Sequence, residues 1–435
     1  MWANESVFYQ IYPLGFVGAP YENDGQQVSR INQVLDWKEH ILKLGVNAIY
    51  FSPIFESDTH GYNTRDYKKL DVRLGLNEDF KKLCQSFHKD GVKIVLDGVF
   101  NHAGRGFFAF QDVLQNRENS RYLHWFNINL DGNSNYNDGL WYEGWEGNYD
   151  LVKLNLRNNE VVEYLLDAVK YWIEYFEIDG IRLDVAYCLD HDFMRRLRRH
   201  CDGLKKDFFL VGEIVHGDYN ALANDEMLHS VTNYECYKGN YSSLNSMNMF
   251  EMVHTLLRQF GPENWTLYKG KHFLSFVDNH DVSRIASVLT NERHIPLAFA
   301  MIFGMPGIPC IYYGSEWGVR GRKEDGDSNL RLHYDEPIYN NISEFISKLA
   351  KIKKESHALN YGDFISKYLT NRQCVYQRCS ECERVFVAIN ADDTDVKVQF
   401  DTGADKAIDL INGDEVWIRD GVEIKGCDVR FLKVI

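Results

Sequence analysis

The sequence predicts an α/β protein built on a (β/α)8 TIM barrel, with an insertion after strand 3 and a C-terminal antiparallel β-sandwich domain. Eight short apolar runs alternate with longer amphipathic segments over roughly the first 350 residues, which is the pattern of a parallel barrel. Beyond about residue 358 the pattern changes to short alternating runs that are typical of antiparallel strands. A chain of 435 residues is long enough for a large barrel and a modest second domain.

The predicted barrel strands are rich in Val, Ile, Phe and Tyr, and each is bounded by turn residues. In chain order they are SVFYQIYP (6–13), NAIYFSP (47–53), VKIVLDGVFNH (92–102), GIRLDVA (180–186), FFLVGEI (208–214), SVTNYE (230–235), HFLSFVDNHD (272–281) and IPCIYYGSE (308–316). The segments between them have helical spacing, as in EVVEYLLDAVKYWIEYF (160–176).

The same patterns divide the chain into three parts. Residues 1–102 and 153–357 are predicted to form the barrel, and residues 358–435 the C-terminal β-domain. Residues 103–152 are rich in Asn, Gly, Trp and Tyr with little periodicity, and a long insertion of this kind inside a compact fold is usually functional. We expect it to form an inserted domain beside the substrate cleft.

The composition limits the binding partners and the cellular compartment that are expected for the protein. A net charge of −15 argues against nucleic acid or an anionic membrane, because both attract basic surfaces. No apolar run approaches the ~20 residues that cross a bilayer, and the N-terminus lacks the pattern of a signal peptide. Nine cysteines at scattered positions indicate reduced thiols in the cytoplasm. We therefore expect a small neutral substrate and leave the oligomeric state open.

One group of cysteines raises an alternative. Cys374, Cys379, Cys382 and Cys427 include a C-x-x-C pair, which invites a zinc site. Cys374 lies in a strand pattern and the pair lies at a hairpin tip, so reduced thiols remain the favoured interpretation, and no metal site is predicted.

Charged side chains recur at the ends of the predicted strands. Arg182 and Asp184 are two residues apart and share one face of the fourth strand, Glu213 ends the fifth, and Asp281 ends the seventh. Active sites of such barrels lie at this C-terminal rim. An unpaired buried carboxylate costs several kcal/mol, so a cluster of them favours catalysis over a structural ion network.

Two carboxylates that face one substrate are the groups used in glycoside hydrolysis. Arg182 beside Asp184 is expected to keep that carboxylate ionised, as a nucleophile requires. Glu213 follows Leu-Val-Gly without a basic neighbour in sequence, which suits an acid that stays protonated near neutral pH.

Four segments resemble the signature regions of the α-amylase family of glycoside hydrolases, in order and at the ends of the predicted strands. They are DGVFNH (97–102), GIRLDVA (180–186), GEI (212–214) and FVDNHD (276–281). The resemblance implies that Asp184 is the nucleophile, Glu213 the general acid/base and Asp281 a third carboxylate that binds and distorts the sugar at subsite −1. The substrate-binding residues that it implies are Tyr62, His102, Arg182, His280, Asp327 and Arg331.

Within the family, SPIFESDTHGYNTRDY (52–67) and VKLN (152–155) are most similar to the neopullulanase, cyclomaltodextrinase and maltogenic amylase branch. That likeness implies retaining cleavage of α-1,4 bonds in maltooligosaccharides or cyclodextrins, with α-1,6 cleavage left open. Two features depart from the branch. Tyr187-Cys188 stands where the branch usually carries Asn-Glu, and the sequence starts at the barrel without the branch's N-terminal β-domain.

Other functions and cofactors remain open at this point. A transglycosylase or isomerase acting on trehalose- or sucrose-type α-glucosides would use the same residues, and a non-catalytic α-glucan-binding protein would keep the barrel. No cofactor is required by the implied chemistry. Calcium is common in the family, and the loop from Tyr21 to Gly25 carries hard oxygen ligands, but that loop is equally an ordinary turn.

Overall fold

A computed structural model describes all 435 residues, and its centre is a ring of eight parallel strands. These strands are β1 (Phe8–Ile11), β2 (Ala48–Phe51), β3 (Lys93–Gly98), β4 (Gly180–Leu183), β5 (Phe209–Gly212), β6 (Ser230–Val231), β7 (Leu274–Phe276) and β8 (Ile308–Tyr312). Neighbours follow the order β6-β5-β4-β3-β2-β1-β8-β7, and a parallel bridge between Thr232 and Leu274 joins the two outer strands. The predicted barrel is confirmed.

Helices connect the strands on the outside of the ring. The main ones are α1 (Lys38–Lys43), α2 (Asn77–Lys89), α3 (Asn159–Tyr171), α4 (His191–Leu204), α5 (Tyr234–Asn245), α6 (Met249–Phe260), α7 (Ile295–Gly304) and α8 (Asn341–Glu355). The remaining α-helices are Pro13–Phe16, Gln33–Asp36, Phe108–Asn116, Ile285–Val288 and His357–Tyr361. The Asp190 side chain caps α4 by accepting the backbone N–H groups of Asp192 and Phe193, which have no partner inside the helix.

The strands are shorter than the apolar runs that predict them. β3 ends at Gly98 although its run continues to residue 102, and β6 pairs over only two residues. In the sixth run the chain leaves the sheet at Asn233, whose side chain accepts the N–H of Cys236 and starts α5. The polar ends of the runs therefore become loops at the C-terminal rim.

The interior of the barrel changes from apolar to polar along the strands. Inward-facing side chains near the strand starts form an apolar cluster that includes Phe8, Ala48, Val95 and Phe209. One pleat further along, the register sets Gln10 beside Tyr50 and Arg182 beside Asp97. Because alternate residues of a strand share a face, these polar side chains also point inward, and they form the layer inside the barrel just beneath its C-terminal rim.

The segment after β3 folds as a small unit against the rim. Its three-stranded sheet consists of His102–Gly104, Asn148–Lys153 and Gly144–Trp145, and a two-stranded ribbon joins Ile128–Asn129 to Trp141–Tyr142. His102 pairs with Lys153 in that sheet, so it lies on the inserted unit and not on the third barrel strand.

The C-terminal domain is a six-stranded antiparallel sheet with a two-stranded sheet packed on it. The larger sheet contains, in spatial order, Asp363–Leu369, Gln373–Cys379, Arg384–Asn390, Asp428–Val434, Lys406–Asp409 and Glu415–Trp417. The smaller sheet pairs Val396–Val398 with Val422–Ile424, and both sheets share an apolar core. The opposite face, with Val385, Val387 and Phe431, belongs to the same core as the barrel helices.

All nine cysteines are unpaired. None of the helices combines the length and apolar character needed to cross a membrane.

Candidate active site

A cleft of about 560 Å³ opens at the C-terminal ends of the barrel strands. The predicted site residues on its walls are Tyr62, His102, Asp184, Glu213, Asp281, Asp327 and Arg331. Arg182 and His280 are buried and contact these side chains from beneath. The structure therefore brings together every site residue that the sequence singles out.

Arg182 connects the carboxylates at the centre of the site. Its Nη1 lies 2.8 Å from Asp184 Oδ1 and 2.9 Å from both carboxylate oxygens of Asp97, and its Nη2 lies 2.9 Å from Glu213 Oε1. The residue is only 3% exposed. Glu213 has no basic neighbour in the sequence, but in the fold Arg182 of the adjacent strand is one.

The balance of charges differs from the sequence expectation for Asp184. Burial raises the pKa of Asp184 well above its usual range, and the charge of Glu213 adds to this, whereas Arg182 acts in the opposite direction. Burial also raises the pKa of Asp97 against the opposing effect of Arg182. Arg182 therefore favours the ionised form of Asp184, as expected, but desolvation outweighs its effect.

A strained backbone positions Glu213. Val185 has a left-handed conformation with φ of 39°, which β-branched residues rarely adopt, and such strain is concentrated at functional sites. Its N–H donates to Glu213 Oε2 at 3.0 Å, while the Tyr234 hydroxyl donates to Glu213 Oε1 at 3.5 Å. Neither contact has a signal in the sequence.

Two basic side chains contact the carboxylate of Asp281. His280 Nε2 lies 2.9 Å from Oδ2, and Arg331 Nη2 lies 2.8 Å from Oδ1 and 3.1 Å from Asp327. Burial acts to raise the pKa of Asp281, but His280 and Arg331 together hold it well below its usual range. Gln10 Nε2 lies 2.8 Å from His280 Nδ1, so the amide donates there and leaves Nε2–H of His280 to face Asp281.

Aromatic rings enclose His280. Tyr62 stacks on one face at a centroid distance of 5.7 Å and an angle of 6°, and Tyr12 stacks at 6.0 Å and 19°. Arg331 lies over the Tyr12 ring at 4.7 Å. Sequence reasoning missed Tyr12 and Gln10, although both follow from the inward alternation of β1 and the turn after it.

His102 presents a free donor to the cleft. Burial lowers the pKa of its imidazole to about 3, so the ring is neutral at pH 7. Asn101 Nδ2 lies 3.1 Å from Nδ1, which assigns the proton to Nε2. That Nε2 lies 4.0 Å from Asp184 Oδ2 and has no hydrogen-bond partner in the protein.

The inserted unit supplies one wall of the cleft. Trp145, Asn148, Asp150 and Leu151 line it, and the Trp145 ring lies 6.0 Å from that of His102. Trp141 does not line the cleft; it is 39% exposed, and its indole N–H donates to Tyr149. Tyr187 lines the opposite wall at one of the two positions that depart from the family branch.

The loop that suggests calcium does not fit that ion. Asn23 Oδ1 accepts the N–H of Gly25, and Asp24 Oδ1 accepts the N–H of Gln26, so these oxygens close turns. Nowhere does the structure gather three or more His, Cys, Asp or Glu side chains that could hold a metal ion.

Comparisons with known proteins agree on one family. The family description "Alpha amylase, catalytic domain" matches residues 10–375. The chain is 30% identical over 413 residues to a cyclomaltodextrinase of Thermoanaerobacter pseudethanolicus, covering 89% of this chain and 70% of the relative. It is 31% identical over 377 residues to an intracellular maltogenic amylase of Bacillus subtilis, covering 82% and 63% respectively.

A solved structure gives the same result. The debranching enzyme of Nostoc punctiforme, soaked with acarbose, superimposes with a TM-score of 0.84 at 27% identity, covering 99% of this chain and 98% of that one. Fold, motif order and these similarities agree, and the resemblance seen in the sequence is confirmed. The chain is an enzyme that belongs to the α-amylase family of glycoside hydrolases.

Proposed function

We propose that the protein hydrolyses α-1,4-glucosidic bonds of maltooligosaccharides and cyclodextrins with retention of anomeric configuration. One observation carries this proposal: Arg182 contacts both Asp184 and Glu213, at 2.8 and 2.9 Å, and Asp281 lines the same cleft. Two carboxyl groups bound to one guanidinium are close together, which suits the ~5–5.5 Å separation of retaining enzymes.

The chemistry proceeds in two displacements. A carboxylate oxygen of Asp184 attacks the anomeric carbon while the glycosidic C–O bond breaks and Glu213 gives its proton to the leaving oxygen. Glu213 then removes a proton from water, which attacks the same carbon and releases Asp184. Val185 N–H and Arg182 hold Glu213 in place for both proton transfers.

The surrounding groups bind the sugar at the point of cleavage. His102 Nε2–H has no partner in the protein and can contact a sugar hydroxyl, the Asp281 carboxylate lines the same cleft, and the Tyr62 ring lies in the cleft wall as a stacking surface. Arg331 fixes Asp281 and Asp327 together, so both carboxylates keep one orientation toward the substrate. Interactions that strengthen in the distorted transition state accelerate cleavage.

The protonation of the site follows from its charge balance. The buried carboxylates of Asp97 and Asp184 share the guanidinium of Arg182, and burial raises the pKa of both, so this pair holds protons more tightly than exposed carboxyl groups do. Catalysis needs Asp184 ionised and Glu213 protonated at once. Since one group must have lost its proton and the other must still carry one, the rate should have a bell-shaped dependence on pH.

The proposed substrate class and cellular location are supported by the names of the relatives and by the unpaired cysteines. The names cyclomaltodextrinase and maltogenic amylase favour short or cyclic α-1,4-glucans, and the likeness to a debranching enzyme supports α-1,6 cleavage as a second activity. The unpaired cysteines and the relative named intracellular support action in the cytoplasm.

Chromatography of products tests the substrate class. We expect kcat/KM for maltotriose to maltohexaose, or for cyclodextrins, to exceed that for soluble starch per bond by at least about tenfold. Pullulan is the probe for α-1,6 cleavage. Equal activity on starch would make the protein an endo-acting α-amylase. Products from trehalose or sucrose alone would make it an isomerase or transglycosylase, and binding without products would make it a glucan-binding protein.

Proton NMR of the first products tests the mechanism. Two displacements at the anomeric carbon restore its configuration, so the α-anomer of the newly formed reducing end should appear before mutarotation. If the β-anomer appeared first, a single displacement by water would replace the role assigned to Asp184.

A further inference from the structure

A second groove adjoins the active-site cleft. It has a volume of about 470 Å³, and its walls include Asp58, Arg65, Arg105 and Tyr136. Tyr21 and Asp150 line both the groove and the cleft, so the two are adjacent. We propose that this groove binds additional glucosyl units of an oligosaccharide whose cleaved bond lies in the cleft, an inference that rests on the proposed function.

The polar groups of the groove are fixed before a ligand arrives. Both terminal nitrogens of Arg105 contact Asp138 at 2.9 Å. Asp58 accepts the backbone N–H of Gly106 at 3.1 Å and pairs with Nε of Arg65. The terminal nitrogens of Arg65 make no hydrogen bond within the protein and remain available to sugar hydroxyls. Such preorganisation lowers the entropic cost of binding.

Two tyrosines offer flat surfaces to sugar rings. The Tyr136 ring packs against the Arg105 guanidinium at 3.8 Å, yet the residue is 48% exposed, so one face is supported and the other is open. Tyr21 is 66% exposed, although its backbone carbonyl accepts a hydrogen bond from the buried Arg73 at 2.6 Å. An aromatic body with a polar hydroxyl suits a pyranose ring, which has an apolar face and polar edges.

Charge and size favour an uncharged carbohydrate as the occupant. Arg65 pairs with Asp58 and Arg105 pairs with Asp138, which leaves the acidic side chains of Glu22 and Asp150, so the groove does not favour an anion. Its volume lies in the range of small-ligand sites, about 300–1,000 Å³. The shared residues Tyr21 and Asp150 place the groove next to an oligosaccharide that occupies the cleft.

The length of the oligosaccharide substrate is the variable that tests whether this groove binds glucosyl units. Tyr136→Ala removes one stacking surface and leaves the cleft intact, so kcat/KM for maltohexaose should fall by about fivefold to tenfold while that for maltotriose stays within about twofold. Trp141→Ala is the matched control, because it removes an exposed aromatic ring from the same inserted unit outside both cavities.

A binding measurement separates this proposal from the proposed function. In the Asp184→Asn background, calorimetry should give tighter binding of maltohexaose than of maltotriose, and Tyr136→Ala should remove the difference. Equal losses for both sugars, or no loss for either, would overturn the groove assignment even in an active enzyme. If the wild-type protein hydrolyses neither sugar, the proposed function is overturned. The difference in affinity between maltohexaose and maltotriose still shows whether the groove binds glucosyl units.

Discussion

Asp184→Asn should lower kcat by at least about 10⁴-fold, because the amide cannot attack the anomeric carbon and no other carboxylate occupies that position. The size and hydrogen-bonding shape of the side chain are kept, so Arg182 retains a partner near its 2.8 Å contact. Binding of maltohexaose should therefore remain measurable by calorimetry. Wild-type-like turnover would place the nucleophile elsewhere.

Asp179→Asn is the matched control for this experiment. Asp179 precedes the same strand, β4, and lies at its opposite end, where it contacts His88 at 2.9 Å, Lys205 at 3.0 Å and Lys93 at 3.1 Å. Its loss removes a buried ion-pair network, so the melting temperature should fall while kcat per folded molecule stays unchanged. If both variants lost turnover to the same extent, the effect at Asp184 would be one of stability.

Much of this site can be predicted because strand alternation is visible in the sequence. Arg182 and Asp184 are two residues apart, which places both inside the barrel, and the ends of neighbouring strands must meet at one rim. The observed contact of Arg182 with Asp184 follows directly from that geometry. The same reasoning places Glu213 and Asp281 at the rim, since each ends a run that forms a barrel strand.

Contacts between residues of different strands at the rim could not be predicted from the sequence. The environment of Glu213 depends on Arg182 from the next strand and on the left-handed backbone of Val185, and neither is encoded by residues beside Glu213. His102 ends the apolar run 92–102, yet it pairs with Lys153 in the inserted sheet, because the partner strand arrives from about 50 residues further along the chain. Desolvation at Asp184 likewise depends on the closed barrel and not on its neighbours in sequence.

Arg182→Lys tests whether one guanidinium must hold both catalytic carboxyl groups. Lysine keeps the charge but presents a single ammonium in place of two nitrogens that reach Asp184 and Glu213 separately. A displacement of about 1 Å at either carboxyl group is enough to lower kcat/KM on the order of a hundredfold. We expect a loss of that size.

The pH profile of the Arg182→Lys enzyme distinguishes this role from simple destabilisation. Arg182 lowers the pKa of Asp184 against the effect of burial, so weakening the contact should raise that pKa further. The carboxylate must be ionised to attack, and the acidic limb of kcat/KM should therefore move to higher pH.

Arg378→Lys is the control, since that buried guanidinium contacts only the carbonyls of Gly304 and Gly362 beside the C-terminal domain. It should lower the melting temperature and leave the profile in place. An Arg182→Lys enzyme with reduced activity but an unshifted acidic limb would show that Arg182 supports the fold and does not set the protonation of Asp184.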